Sequence, residues 1–251
     1  MPIDNIHFNA FLETIPNFQN QGAFGHNPAN FLQGIINRIG VNNTSQSLIE
    51  IQNTLPNYLL NRNHVFAISN DENLSIAYKI VCIFAWGAMR QSTTGADMFF
   101  SNWNKYERDL VLIFENFRRN NYTRNWTYEK LKRMNLQGCR PAYYTKLIFF
   151  FGNSNAYIMD QWTSKSIELL WTIEDRIGII FDNGGYIHAS NHSGLYEEFC
   201  SRVEILTRTV NNQTNSSYSP SEIEEMIFSN GANNGQIRGG WRTYVEANWE
   251  H

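Results

Sequence analysis

The chain is short of the features that assign a protein quickly. Three cysteines in 251 residues (Cys82, Cys139, Cys200), far apart, build neither a disulfide framework nor a cysteine zinc site. They are also too few for a four-cysteine iron–sulfur cluster, and they point to a reducing cytosol. Charge is scarce: 17% of residues are charged and the formal net charge is −3, so no global basicity announces a nucleic-acid partner. Apolar runs fall far short of the roughly 20 residues that cross a bilayer. Residues 1–10 lack a basic n-region and carry Asp4 and Asn5, so no signal peptide is read and a cytoplasmic protein is expected. No internal repeat, Walker-type loop or Gly-x-Ser-x-Gly elbow occurs. His188 and His192 lie in a Gly/Ser/Asn loop without an obvious third ligand, so neither a metal nor another cofactor is expected.

What the chain does have is apolar periodicity of the helical kind. At 42% hydrophobic residues it can bury a large core, as one domain or as two small lobes. Asn27-Pro28 reads as an N-cap and first helical residue before Phe31, Ile35 and Ile36. Residues 45–60 repeat the pattern with Leu48, Ile51 and Leu55, interrupted by Pro56. Helices are expected over 71–90, 97–116, 162–173 and 195–210, with a flexible polar linker at 211–218. Ser219-Pro220-Ser221-Glu222 is a capping box that opens another helix. The tail at 241–249 holds Trp241, Tyr244 and Trp249, suited to the core or to a partner surface.

Between residues 118 and 146 the charge balance changes. Arg118, Arg119, Arg124, Lys130, Lys132, Arg133, Arg140 and Lys146 face one acid, Glu129, with Tyr122, Trp126, Tyr128, Tyr143 and Tyr144 interleaved. Local basicity of this kind suits phosphate contact, because Lys and Arg replace counterions on the backbone of DNA.

This segment runs into residues 135–167, NLQGCRPAYYTKLIFFFGNSNAYIMDQWTSKSI. A turn at Gly138-Cys139-Arg140 precedes a helix opened by Pro141, and a short apolar stretch delivers Asp160 just before the next helix. Lys146 is the odd residue of the apolar helix, since a lysine ammonium is costly to bury alone. The order of hairpin, helix, loop and lone aspartate resembles the helix-hairpin-helix DNA glycosylases, in the bacterial branch with an 8-oxoguanine-glycosylase fold. About 30 residues carry the resemblance strongly, and 72–230 follow it loosely in helical order.

The resemblance implies an all-α, two-lobed helical bundle with the active site between the lobes. Residues 1–70 would form a helical cover on the core, 71–251 the glycosylase core with its hairpin at about 131–150, and 195–251 the helices that close the bundle. It implies a monomer that binds double-stranded DNA, flips out a modified base and cuts its N-glycosidic bond, with no membrane partner. Asp160 aligns with the aspartate that steadies positive charge on the sugar, and it also suits the N-cap of the next helix. The family's lysine nucleophile falls at about Ala142. Lys146 lies one turn later on the same helix face and is the candidate for that role, which would add strand nicking to base excision. Gly138, Arg140, Arg133, Lys132, Lys165, Arg90 and Gln91 are the candidate DNA contacts, and Trp86, Tyr143 and Trp162 the candidate base pocket. Trp86 is equally suited to the core, and Arg90 to capping a helix C-terminus.

The hairpin departs from the family's Gly-x-Gly at Arg140. Two substrates stand open, 8-oxoguanine in repair and a bulky modified cytosine such as glucosylated hydroxymethylcytosine in phage DNA, an antiviral role. The alternative class is a DNA-binding module that has kept the hairpin and lost catalysis.

Overall fold

The structure is a computed structural model that describes residues 2–18, 25–87, 94–152, 155–229 and 240–249. Thirteen α-helices and no strand occur among the described residues, with isolated bridges at Ile3–Trp171 and Phe181–Ile187. The fold is all-α, as the periodicity requires. No described helix is long and apolar enough to cross a membrane. The chain forms two compact units, one of Met1–Gln21 with Ser154–His251 and one of Gly22–Asn153.

The unit of Gly22–Asn153 is built on two helices, α5 (Ile76–Gly87) and α9 (Pro141–Phe151), after α2 (Pro28–Ile39), α3 (Gln46–Gln52) and α4 (Arg62–Asn70). Between α5 and α9 come α6 (Thr94–Ser101), α7 (Trp103–Arg118) and α8 (Arg124–Arg133). Nine residues of α5, Ala77 and Lys79 to Trp86, are buried and eight of them are apolar, so this helix is enclosed by α2, α3, α4, α7 and α9. Phe84 meets Phe99, Phe100 and Tyr143, Phe150 meets Trp86, and Phe114 stacks on Phe151 at 4.2 Å between centroids. Each buried phenylalanine of this kind stabilises the fold by about 2–3 kcal/mol.

Residues 25–70 pack with the helices that follow them: Leu32, Ile35, Leu48, Leu60 and Val65 are wholly buried and α4 packs on both α5 and α9. Two helical segments form differently from their expected spans. The helix expected over 97–116 is two helices, broken at Asn102, whose Nδ2 donates to the Met98 carbonyl at 2.9 Å. The helical pattern read over 45–60, with Pro56 as its interruption, forms α3 alone, which ends ahead of Pro56.

The other unit combines α1 (Asn5–Thr14) with α10 (Gln161–Leu170), α11 (Ser193–Thr214), α12 (Pro220–Ser229) and α13 (Gly240–Asn248). Trp241 is fully buried; its Nε1 donates to Ser166 Oγ at 3.0 Å, and Ser166 Oγ donates to the Ile227 carbonyl at 2.8 Å. Those two bonds fasten α13, α10 and α12 together. The capping box at Ser219 forms, with Glu222 Oε2 accepting from both the amide and the hydroxyl of Ser219. The expected linker is half helix: α11 runs to Thr214, and Asn215 ends it at φ 52°, a left-handed conformation that asparagine tolerates.

Candidate functional site

The hairpin joins α8 to α9 through Leu136 and Cys139, both buried, with the Cys139 amide donating to the Leu136 carbonyl at 3.0 Å. Gly138 has φ +73°, and a Cβ built on it would stand 2.0 Å from the Gly95 carbonyl oxygen. Only glycine fits there. Arg140, where the family pattern has its second glycine, has φ −94° and ψ 170°. That is extended backbone open to any residue, so the departure at Arg140 does not cost the hairpin its shape. Arg140 is exposed and stands at the N-cap of α9 without capping it through its side chain. Pro141 has no N–H and the Tyr143 amide donates to the Arg140 carbonyl at 2.8 Å, so among the described residues this helix start leaves the Ala142 amide for an external anion. Lys132 and Arg133 occupy the last turn of α8 on the other side of the turn, and Arg133 pairs with Glu129 at 2.9 Å.

Lys146 is 9% exposed in the middle of α9. Its Nζ lies 5.5 Å from the Tyr143 ring centroid, and its aliphatic stem passes Gly87 at the end of α5. Burial raises the pKa of the Cys139 thiol, against the pull of the Lys146 charge, so Cys139 is an inert neighbour. Burial, with Cys139 adding to it, likewise raises that of the Tyr143 phenol.

Asp160 belongs to the other unit and is 8% exposed. It N-caps α10: Oδ1 accepts the amides of Trp162 at 2.8 Å and Thr163 at 3.1 Å. Thr163 closes the capping box by accepting the Asp160 amide at 3.0 Å and donating to the Ile158 carbonyl at 2.6 Å. Oδ2 accepts no hydrogen bond among the described residues. One oxygen therefore fixes the carboxylate while the other keeps its lone pairs, so capping and catalysis are compatible in one side chain.

The expected base-pocket residues are differently placed. Trp86 is 7% exposed with its ring edge on Phe150, in the core of its unit. Tyr143 is half-buried against Phe84. Trp162 is half-buried, and its ring carries the Arg242 guanidinium at 3.8 Å and Lys165 Nζ at 5.2 Å. Arg90 and Gln91 lie outside the described residues. Among the described residues no group of three or more histidines, cysteines or acids could hold a metal ion. His188 bonds Ser190, and His192 caps α11.

Sequence reasoning missed Glu168 and Thr163. Glu168 is buried on α10 and accepts the amides of Ile177 at 3.0 Å and Ile179 at 2.6 Å, which holds the loop after the helix in place. Burial raises its pKa against those two bonds and the nearby Arg176 charge. A carboxylate in an apolar helix stripe was the only available signal. Thr163 was legible as the third residue after an Asp N-cap, the spacing of a capping box.

Comparison with curated proteins and with solved structures finds no match. A protein family matches residues 27–228, and its description reads "Putative 8-oxoguanine DNA glycosylase OGG-like protein". The matched span includes the hairpin, Lys146 and Asp160, and it begins with α2, so α2 to α4 belong to the family's own span. The chain is a member of this OGG-like DNA glycosylase family.

Proposed function

We propose that the protein flips a modified base out of duplex DNA and hydrolyses its N-glycosidic bond, leaving an abasic site. The observation that carries this reading is the Asp160 carboxylate, nearly buried, fixed through Oδ1 and unengaged at Oδ2 among the described residues. As the C1′–N bond breaks, the base leaves with the bonding electrons and positive charge grows on the sugar. A preorganised carboxylate stabilises that charge without reorganising, an effect worth several kcal/mol in a water-poor site. Water then bonds to C1′ and loses a proton, and the base takes one up. Lys146 supplies a second, slower route: its neutral amine bonds to C1′ as the base leaves with the C1′–N electrons, and the amine gives up a proton. The C1′–O4′ bond then opens with O4′ taking up a proton, leaving a Schiff base that permits strand cleavage. The Ala142 amide at the start of α9, with Arg140, Lys132 and Arg133, holds the DNA backbone.

The family description supports 8-oxoguanine as the base excised. A bulky modified cytosine of phage DNA, with an antiviral role, is the second substrate to test, because a flipped base is read by its pocket rather than by the duplex. Mass spectrometry of bases freed from 8-oxoguanine duplex, uracil and alkylated DNA, unmodified DNA and phage DNA with hydroxymethylated or glucosylated cytosine decides. Release of one base, abolished by Asp160→Asn, is the expected result. Salt-sensitive DNA binding with no release from any substrate makes the protein an inactive binding module.

A further inference from the structure

On the unit that carries Asp160, two part-buried cations have aromatic rings for neighbours and no acid bonded to them. Lys165 Nζ lies 5.2 Å from the Trp162 ring centroid and 5.9 Å from that of Phe181. Arg176 Cζ lies 5.5 Å from the Trp249 ring, and Phe181 meets Trp249 edge to face at 5.4 Å. The two cations thus border one continuous aromatic surface. Among the described residues neither side chain makes a hydrogen bond or an ion pair, and Arg176 Nε and Trp249 Nε1 have no acceptor. The neighbouring cation differs: Arg242, stacked on Trp162, has Glu246 at 3.6 Å. Desolvation lowers the Lys165 pKa, with Glu246 opposing the shift and Arg242 adding to it. Glu168 lies within the field of Arg176 but bonds the Ile177 and Ile179 amides instead.

An unpaired charge withdrawn from water is unfavourable, and it is retained where a ligand of opposite sign completes it. Aromatic faces hold a cation by its apolar or planar side and leave its donors free. A guanidinium fork and an ammonium along one aromatic surface match the oxygens of a phosphodiester. We infer that Lys165 and Arg176, on the floor formed by Trp162, Phe181 and Trp249, bind one backbone phosphate of DNA. The inference rests on the glycosylase reading and adds to it a contact outside the hairpin, partly supplied by Trp249, which lies beyond the family-matched span.

The test is fluorescence anisotropy of a labelled duplex against the intact protein over a series of salt concentrations. Lys165→Gln combined with Arg176→Gln should weaken binding about tenfold and lower the slope of log affinity on log salt by about 0.9, the share of one phosphate. Lys165→Gln alone should move both in the same direction, and it covers the case in which the double variant folds poorly. Affinity and slope equal to the parent's in both variants, while Lys132→Gln with Arg133→Gln lowers them, would overturn this site and leave the glycosylase reading standing. A parent protein that shows no salt-sensitive affinity for duplex DNA would overturn the glycosylase reading and this inference with it.

Discussion

The stem of Lys146 passes Gly87 so closely that a Cβ on Gly87 would stand 2.7 Å from Lys146 Cδ and 3.0 Å from Cε. Glycine at the end of α5 therefore sets where the amine of α9 can point. Gly87→Ala should shift that amine by an ångström or so, and misplacement on this scale costs a reaction about 100-fold. Borohydride trapping on DNA with an abasic site reads the step. The parent should form a covalent adduct, Lys146→Gln should form none, and Gly87→Ala should form it about 100-fold more slowly. An undiminished adduct in Lys146→Gln would assign the amine to another residue.

Asp160 combines a cap with a free oxygen, and two substitutions separate them. Asparagine caps helices as well as aspartate does, so Asp160→Asn should keep the parent's unfolding free energy to within about 0.5 kcal/mol. Asp160→Ala should lose about 1 kcal/mol or more, because the Trp162 and Thr163 amides lose their acceptor in a nearly buried place. Both should lose base release almost completely, since neither supplies a carboxylate. Urea unfolding paired with product analysis makes the comparison, and an active Asp160→Asn would remove the electrostatic role.

The hairpin gives a contrast between its first and third positions. Gly138→Ala forces a left-handed φ of +73° on a residue with a Cβ and drives that Cβ to 2.0 Å from the Gly95 oxygen. The φ alone costs about 1–2 kcal/mol, and the clash must add to it by moving the turn off α6. Arg140→Gly, at φ −94°, should leave the turn intact and remove one cation. Thermal melting should drop clearly for the first and little for the second. If restoring the missing glycine stabilised the protein strongly, the extended backbone at Arg140 would be the wrong account of its tolerance.

Local signals were the legible part of this structure. Asn27-Pro28, Pro141, Asp160 and Ser219-Pro220 each mark a helix start, because a cap is made by residues two or three apart. The break at Asn102 was hidden, since the apolar stripe continues on both sides of it. The grouping of α1 with the C-terminal helices rests on contacts such as Phe11 with Trp241 at 4.9 Å, which leave no mark in either local sequence. Trp86 shows a similar limit: an aromatic in an apolar run reads alike for a core and for a base pocket, and only its packing on Phe150 separates them. Lys165 was legible as a cation near Asp160, but Arg176 joins it through a loop held by Glu168, a relation no spacing displays.

Lys79, on α5 and 1% exposed, gives the chain a stability that depends on alkaline pH. Burial lowers its pKa to about 8, with Arg118 adding to the shift and Asp71 and Glu72 opposing it. An unfolded lysine titrates near about 10.4. Between these values the unfolded chain binds more protons than the folded one, so the contribution of Lys79 to stability rises with pH across that window and is lost as pH falls through about 8. Lys79→Met replaces the ammonium with an apolar chain of similar length and removes the dependence. The variant should be more stable than the parent at neutral pH, with the difference closing as pH rises from about 8 to about 10.4. Urea unfolding of the two proteins side by side tests this, and a difference that stays constant over the window would mean that the folded protein leaves the Lys79 ammonium hydrated.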